Sequence, residues 1–193
     1  MKRYHVKRYI VVCVCVCVCV CLFVYKQTTK LRYITLEQSA RLDKNRPIIF
    51  LFRHGERCDR SEKICYADSK GITVNGVKKT LYEGFLFSKF FHEYDIYSSN
   101  AVRTIQTARF FSGKEPVIKE SLSTCKKDLY DLMDSIILSS NKRAVVLVTH
   151  NHCLVFLAKD MLGKEFSPAY LDALVIHHDG TQFVLDGVIP GKH

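Results

Sequence analysis

Residues 48–57 read Ile-Ile-Phe-Leu-Phe-Arg-His-Gly-Glu-Arg, an apolar run that ends abruptly in charged and polar residues. Five consecutive apolar residues are typical of a strand that is buried on both faces, as in a parallel sheet covered by helices. In such sheets ligands bind at the carboxyl ends of the strands. Arg53, His54 and Arg57 therefore stand where a functional site is expected.

The same arrangement occurs twice more along the chain. Residues 95–99 predict a short strand that is followed by Arg103, and the apolar segment 144–148 predicts a strand that leads through a threonine to His150. Segments with helical periodicity separate these strands, so we expect one α/β domain, a three-layer sandwich with a mostly parallel central sheet and helices on both faces. Near the end of the chain, Asp179-Gly180 between two apolar segments predicts a hairpin turn.

Length and charge limit the function classes. A chain of 193 residues suits one globular domain, and 48% hydrophobic with 25% charged residues is the composition of a folded protein. Seven of the 29 Lys and Arg residues precede the first acidic residue, Glu37, which leaves 22 positive and 19 negative residues for the rest. The net charge of +10 thus belongs mainly to the N-terminus, and we expect no nucleic-acid partner.

Residues 1–26 have the pattern of an export segment. The first eight residues contain four Lys or Arg, and a run of seventeen apolar residues starts at Tyr9. As a helix this run rises about 25 Å, close to the roughly 30 Å of a bilayer core, and its flanking charges fit the positive-inside rule. No small-x-small cleavage site follows, which favours an uncleaved anchor over a cleaved signal. We predict a linker over 27–34 and the folded domain over 35–193.

The nine cysteines fall into two groups. Five lie in the apolar run, where Cys behaves as a small hydrophobe. The four that remain are Cys58, Cys65, Cys125 and Cys153. An even number in an exported domain indicates disulfides, with Cys58–Cys65 across a short polar loop as one pair and Cys125–Cys153 as the second. A buried free thiol is the alternative for Cys153, because four apolar residues follow it.

A sheet of this kind brings two histidines and three arginines to one pocket: Arg53, His54, Arg57, Arg103 and His150. Guanidinium groups match phosphate oxygens in geometry and charge. A histidine among them stays neutral more easily, and a neutral ring nitrogen can attack phosphorus. His150 would then stabilise the transferred group. His152 begins a predicted helix, and we expect a structural contact there rather than a metal ligand.

Three motifs carry a resemblance to a known superfamily: Arg53-His-Gly with Arg57, the segment from Ser98 to Ala108, and Val148-Thr-His. They resemble the histidine phosphatases, whose phosphoglycerate mutase-like fold is the three-layer sandwich expected above. One exported, periplasmic branch, the lipopolysaccharide core heptose(II)-phosphate phosphatases, is similar to the chain over further segments: 51–61, 71–74, 97–106, 149–153, 170–175 and 184–187.

The resemblance implies the role of each pocket residue. His54 is the nucleophile, His150 completes the phosphate pocket, and three arginines bind the phosphoryl oxygens: Arg53, Arg57 and Arg103. The superfamily usually draws its general acid from a later loop, which favours Glu120. Two further acids are alternatives, Glu56 and Asp59, although Glu56 also suits the role of a structural ion-pair partner.

The expected activity is that of a phosphomonoesterase on the lipopolysaccharide core, with the membrane contacted through residues 1–26 where they are not cleaved. We expect no metal or other cofactor, because arginines neutralise the charge that Mg²⁺ would otherwise neutralise. Two alternatives stay open. The first is an exported histidine phosphatase that acts on small phosphoesters or a phosphoprotein. The second is an inactive module that binds phosphate or lipopolysaccharide.

Overall fold

The computed structural model describes residues 31–42 and 46–191. The strands in these ranges are β1 (Ile48–Arg53), β2 (Tyr94–Ser98), β3 (Val117–Ile118), β4 (Ala144–Thr149), β5 (Ala173–His178) and β6 (Phe183–Ile189). The helices there are α1 (Leu36–Ser39), α2 (Val74–Ser88), α3 (Val102–Ser112), α4 (Ser121–Thr124), α5 (Lys127–Ser139) and α6 (Asn151–Leu162). A 3-10 turn, Cys58–Arg60, follows β1.

The predicted export segment, residues 1–26, lies outside the described residues. Among the residues that are described, no helix is long and apolar enough to cross a membrane.

The described strands form one mixed sheet in the order β3-β2-β4-β1-β5-β6. The first four of these are parallel, whereas β5 and β6 run antiparallel to their neighbours. The predicted hairpin at Asp179-Gly180 is confirmed, since this pair joins β5 to β6 and Gly180 has a φ of +112°. In the β1–β4 register Arg53 stands beside Thr149, so both strands end at the same edge.

Helices cover both faces of the sheet, which confirms the predicted three-layer α/β sandwich. Alternate residues of β1 face opposite layers: Phe50 packs with Phe87 of α2 and the rest of an aromatic cluster, while Leu51 packs in an aliphatic cluster with α4, α5 and α6. Helices α2 and α3 approach closely at Gly84, where a Cβ atom would lie only 2.0 Å from the carbonyl oxygen of Phe111.

The folded unit begins before the predicted boundary at residue 35. Its compact part starts at Leu31, so residues 31–34 of the predicted linker belong to it. Ile34 donates its backbone N–H to Val188 of β6 (2.9 Å), and Val188 donates to the carbonyl of Arg32 (2.7 Å). A Cβ atom at Gly187 would lie 2.5 Å from that same carbonyl oxygen, so glycine lets the segment pair with β6. Backbone pairing, which composition does not reveal, moves the boundary.

Candidate active site

The carboxyl ends of β1, β2 and β4 meet at one edge because these strands are parallel and adjacent. The loops that follow them enclose a cavity of about 480 Å³. Its described lining consists of Arg53, His54, Arg57, Arg60, Asn100, Ala101, Arg103, Ser123, His150, Asn151 and His152. The two histidines and three arginines predicted from the sequence therefore share one pocket.

His54 follows β1 directly and is only 3% exposed. Its backbone N–H donates to the carbonyl of Thr149 (3.0 Å), which holds it against β4. The ring Nδ1 lies 2.8 Å from the carbonyl oxygen of Gly55. Because a carbonyl only accepts, Nδ1 carries the proton and Nε2 keeps its lone pair. Burial, together with the nearby charge of Arg103, lowers the pKa of His54 to about 3. The nucleophile candidate is therefore neutral at pH 7.

His150 follows β4, and its ring centroid lies 5.6 Å from that of His54. Its Nδ1 is 3.2 Å from Nη2 of Arg103. A guanidinium only donates, so Nδ1 accepts and the ring proton is on Nε2, which donates to Oγ of Ser99 (2.9 Å). Burial, and next the charge of Arg103, lowers the pKa of His150 to about 4. This ring is neutral as well.

The hydroxyl of Ser99 links His150 to the loop after β2. Ser99 accepts from His150, so its own proton points to Oγ1 of Thr104, 2.7 Å away. Thr104 in turn donates to the carbonyl of Ala101 (2.8 Å). Ser99 and Thr104 are fully buried, so water does not compete for these bonds. The backbone of this loop therefore determines the orientation of the His150 ring.

Two of the pocket arginines have a buried N–H group that finds no hydrogen-bond acceptor in the described part of the chain. Arg53 stacks on Tyr170, with 4.0 Å between the guanidinium carbon and the ring centroid, and donates Nη1 to the carbonyl of Pro168 (2.6 Å). Its Nε and the Nε of Arg103 are buried without an acceptor there. An unpaired buried donor costs roughly 1–3 kcal/mol. Arg143, which is not in the cavity lining, has the same kind of unpaired Nε, so this feature is not particular to the pocket. The forked guanidinium groups of Arg53 and Arg103 nevertheless match an anion with several acceptor oxygens.

Two of the three candidate acids are already engaged. Asp59 pairs with Arg57 through both of its oxygens, and this bonding lowers the pKa of Asp59. Glu56 accepts hydrogen bonds from three side chains: Lys63, Thr73 and Asn75. Burial alone would raise the pKa of Glu56, but these bonds outweigh it and lower the pKa. Both carboxylates have the surroundings of structural partners.

Glu120, the favoured acid, is not among the described residues that line the cavity. It precedes α4, and its Oε2 accepts from Nδ2 of Asn100 (2.9 Å). Asn100 does line the cavity and accepts from the hydroxyl of Ser123 (3.1 Å). Glu120 is thus one hydrogen bond away from the lining, and its role as general acid stays a prediction.

Several lining residues were not assigned to the pocket from the sequence: Arg60, Asn100, Ala101, Ser123, Asn151 and His152. Most of them follow directly on a predicted strand end or motif, and this position was the signal that could have identified them. Ser123 carried no such signal, because it comes from the short helix α4. The structural contact expected of His152 is present, since its Nε2 donates to the carbonyl of Ser123 (3.0 Å).

Both expected disulfides are present, Cys58–Cys65 and Cys125–Cys153, with Cα–Cα distances of 5.3 and 5.5 Å. The alternative of a free thiol at Cys153 is therefore wrong. The second bridge joins the end of α4 to the first turn of α6, so it links two segments that line the pocket. The sulfur atoms of Cys125 and Cys153 and a ring nitrogen of His152 lie within 4.8 Å of one another. Because both sulfurs belong to the disulfide, neither is a thiolate that could bind a metal.

Comparison with protein-family models finds no match. Individual proteins nevertheless match the chain over most of its length. The chain is 44% identical over 154 residues to the lipopolysaccharide core heptose(II)-phosphate phosphatase of Salmonella schwarzengrund (strain CVM19633), across 79% of this chain and 77% of the relative. The chain belongs to the lipopolysaccharide core heptose(II)-phosphate phosphatase family. The protein of this name from Salmonella newport (strain SL254) is 43% identical over the same shares of both chains.

Solved structures place the family within a larger fold group. A phosphoserine phosphatase from Entamoeba histolytica in complex with phosphoserine has a TM-score of 0.59 at 17% identity, over 76% of this chain and 98% of that one. The protein histidine phosphatase SixA complexed with tungstate has a TM-score of 0.57 at 15% identity, over 75% and 97%. At such identities the likeness shows the fold, which is the predicted phosphoglycerate mutase-like one. As a member of the family above the protein is a phosphatase, and its motifs resemble those of the histidine phosphatases.

Proposed function

We propose that this phosphatase removes the phosphate group from heptose(II) of the lipopolysaccharide core through a phosphohistidine intermediate on His54. One observation carries the chemistry: His54 is neutral, its lone pair is on Nε2, and guanidinium groups line the pocket around it. The substrate is the one named for relatives at 44% identity.

The reaction has two halves. In the first, Nε2 of His54 attacks phosphorus, and the bond between phosphorus and the sugar oxygen breaks. The sugar oxygen takes a proton from the general acid and leaves as a hydroxyl group. In the second, water attacks the phosphohistidine, the phosphorus–nitrogen bond breaks, and the proton of the water returns to the conjugate base of the same acid. Inorganic phosphate leaves, and Nε2 regains its lone pair.

Three guanidinium groups neutralise the phosphoryl oxygens in the transition state: those of Arg53, Arg57 and Arg103. Their position in the cavity lining supports this role, because forked guanidinium groups match the oxygens of a phosphoryl group. His150 accepts from Arg103 and so holds that guanidinium at the pocket. In this mechanism the positive charge that neutralises the phosphoryl group comes from arginine side chains.

Glu120 is our candidate for the general acid. It contacts the pocket residue Asn100, whereas Glu56 and Asp59 are ion-paired and have lowered pKa values, which makes them poor proton donors near pH 7.

We also propose that the chain is exported and held at the membrane by residues 1–26, with the catalytic domain in the periplasm. The charge pattern of this segment supports export. The two disulfides support an oxidising compartment, where such bonds persist.

The test uses the full-length chain in detergent, with EDTA, and lipopolysaccharide core that is phosphorylated on heptose(II). Phosphate release is measured for the wild type, for His54→Ala and for a control variant, His92→Ala, which removes an exposed histidine outside the pocket. Circular dichroism checks that each variant is folded. We expect release by the wild type and the control, and a loss of roughly 1000-fold or more for His54→Ala. Rapid-quench mass spectrometry should find the phosphate adduct on His54.

Two outcomes would contradict the proposal in different ways. Hydrolysis of p-nitrophenyl phosphate without hydrolysis of the core would keep the mechanism and reject the substrate, leaving another phosphoester or a phosphoprotein. Tight binding of the core without turnover of either compound would support the inactive binding module.

A further inference from the structure

Arg60 differs from the other three arginines of the pocket. It ends the 3-10 turn after β1, lines the cavity, and is exposed. Each of the other three donates to a neighbouring carbonyl, carboxylate or imidazole. Within residues 31–42 and 46–191, the side chain of Arg60 makes no hydrogen bond or ion pair. Its guanidinium is therefore available to a ligand.

The pocket lining contains one guanidinium group more than the proposed mechanism uses for the reacting phosphate. Its described lining contains four guanidinium groups and no carboxylate. A phosphate monoester carries a charge of about −1.5 to −2 near neutral pH. The proposed mechanism assigns this charge to Arg53, Arg57 and Arg103, of which Arg57 is paired with Asp59 and Arg53 is subject to the charge of Asp172. The guanidinium of Arg60 is not assigned to the reacting phosphate.

Arg60 is close to the reacting site, and the backbone turn that carries it is anchored. Burial lowers the pKa of Arg53 and of Arg103, and the charge of Arg60 contributes to the lowering at both. The turn that carries Arg60 begins at Cys58, which the disulfide to Cys65 anchors. An anchored backbone reduces the entropy that is lost when a ligand binds.

We propose that Arg60 binds a second anionic group of the substrate, a phosphate or a sugar-acid carboxylate next to the phosphate that is removed. This inference rests on the proposed function, because it concerns the same site. A guanidinium fork binds either anion through two parallel hydrogen bonds. Asn100 and Ser123 line the same cavity and suit the sugar hydroxyls.

The experiment compares the full-length wild type in detergent with Arg60→Gln and with a control, Lys70→Gln. Lys70 is an exposed residue of the same loop that does not line the pocket, so the control loses the same charge. Four substrates are used. Two carry a single phosphate: p-nitrophenyl phosphate, and a core oligosaccharide whose only anionic group is the phosphate on heptose(II). The other two are this oligosaccharide with a second phosphate added and this oligosaccharide with a sugar-acid carboxylate added. KM and kcat are measured at low and high salt.

We expect Arg60→Gln to raise KM about tenfold for one of the two doubly anionic oligosaccharides and to leave kcat within about twofold. The substrate that shows the effect identifies the second anion. KM for the two singly phosphorylated compounds should change less than about twofold, as it should for Lys70→Gln on every substrate. High salt should weaken the effect because Arg60 is exposed.

An equal rise in KM on all four substrates would overturn the proposal, because Arg60 would then serve the reacting phosphate. Unchanged KM on all four would also overturn it. If the wild type hydrolyses none of them, the proposed function fails, and calorimetric Kd values for the same oligosaccharides decide the role of Arg60. If Arg60→Gln leaves the Kd of both doubly anionic oligosaccharides unchanged, the proposed role of Arg60 is rejected. A tenfold rise in the Kd of one of them supports that role.

Discussion

At the scale of single residues, neighbouring groups set the two pocket histidines in opposite tautomers. His54 carries its proton on Nδ1 because a carbonyl accepts there, and His150 carries it on Nε2 because Arg103 donates to its Nδ1. The His54 ring therefore keeps a lone pair on Nε2 for attack, whereas both nitrogens of the His150 ring are hydrogen-bonded. The difference lies in hydrogen bonding, since both rings are buried and neutral.

The lowered pKa of His54 predicts a pH-dependent stability. The unfolded chain binds this proton near pH 6.5 and the folded one only near pH 3, so the unfolded state binds more protons between these values. The free energy of unfolding therefore falls as pH falls. From pH 7 to 5 the wild type should lose roughly 2 kcal/mol more than His54→Asn, which keeps a side-chain N–H but does not titrate. Urea unfolding of both chains at pH 7 and pH 5 measures this difference. If both chains lose the same free energy of unfolding between these pH values, the pKa of His54 is not lowered in the folded state.

Ser99 predicts a positioning effect on His150. Ser99→Ala removes the acceptor of the Nε2 proton and leaves a buried donor unpaired, at a cost of roughly 1–3 kcal/mol. We expect kcat on p-nitrophenyl phosphate to fall about tenfold as the ring reorients. Ser98→Ala is the control, because Ser98 is equally buried and donates only to a backbone carbonyl (2.9 Å). Equal kcat in the two variants would exclude the positioning role.

At the scale of elements, the two disulfides hold the two loops that build the rim of the pocket. Cys58 and Cys65 are seven residues apart, whereas Cys125 and Cys153 are 28 apart. Loop-closure entropy predicts that the longer bridge stabilises the fold by roughly 3.6 kcal/mol and the shorter one by roughly 2.4 kcal/mol. The Cys125→Ala/Cys153→Ala variant should therefore have the lower urea midpoint of the two double variants. The reverse order would show that strain or residual structure, rather than loop length, determines their stabilities.

At the scale of the whole molecule, residues 31–34 form part of the folded unit. Ile34 is only 6% exposed, and the segment makes two backbone hydrogen bonds with Val188. A chain that begins at residue 35 should be less stable than one that begins at residue 27 by roughly 3 kcal/mol, from lost burial and lost pairing. Urea midpoints of the two shortened chains test this, and equal midpoints would restore the domain boundary at residue 35.

Much of the fold was predictable because its signals are local. The apolar runs of β1 and β4, the helical periodicity between strands and the hairpin turn at Asp179-Gly180 each depend on residues close in sequence. The motif residues at three strand ends were predictable for the same reason. The sequence did not reveal that Ser123 lines the pocket or that Glu120 reaches it through Asn100, because these positions depend on α4 and on contacts with Asn100 across the sheet edge.

The sequence by itself determined which residues end the parallel strands, and hence that two histidines and three arginines meet at one edge. Only the tertiary structure decided which ring nitrogen carries each proton, which acids are already paired, and that Arg60 lines the pocket without a side-chain partner among the described residues. The reason is physical. The positions and ends of the strands follow from local patterns of burial, whereas tautomers, ion pairs and pKa values depend on atoms that are distant in the chain and adjacent only after folding.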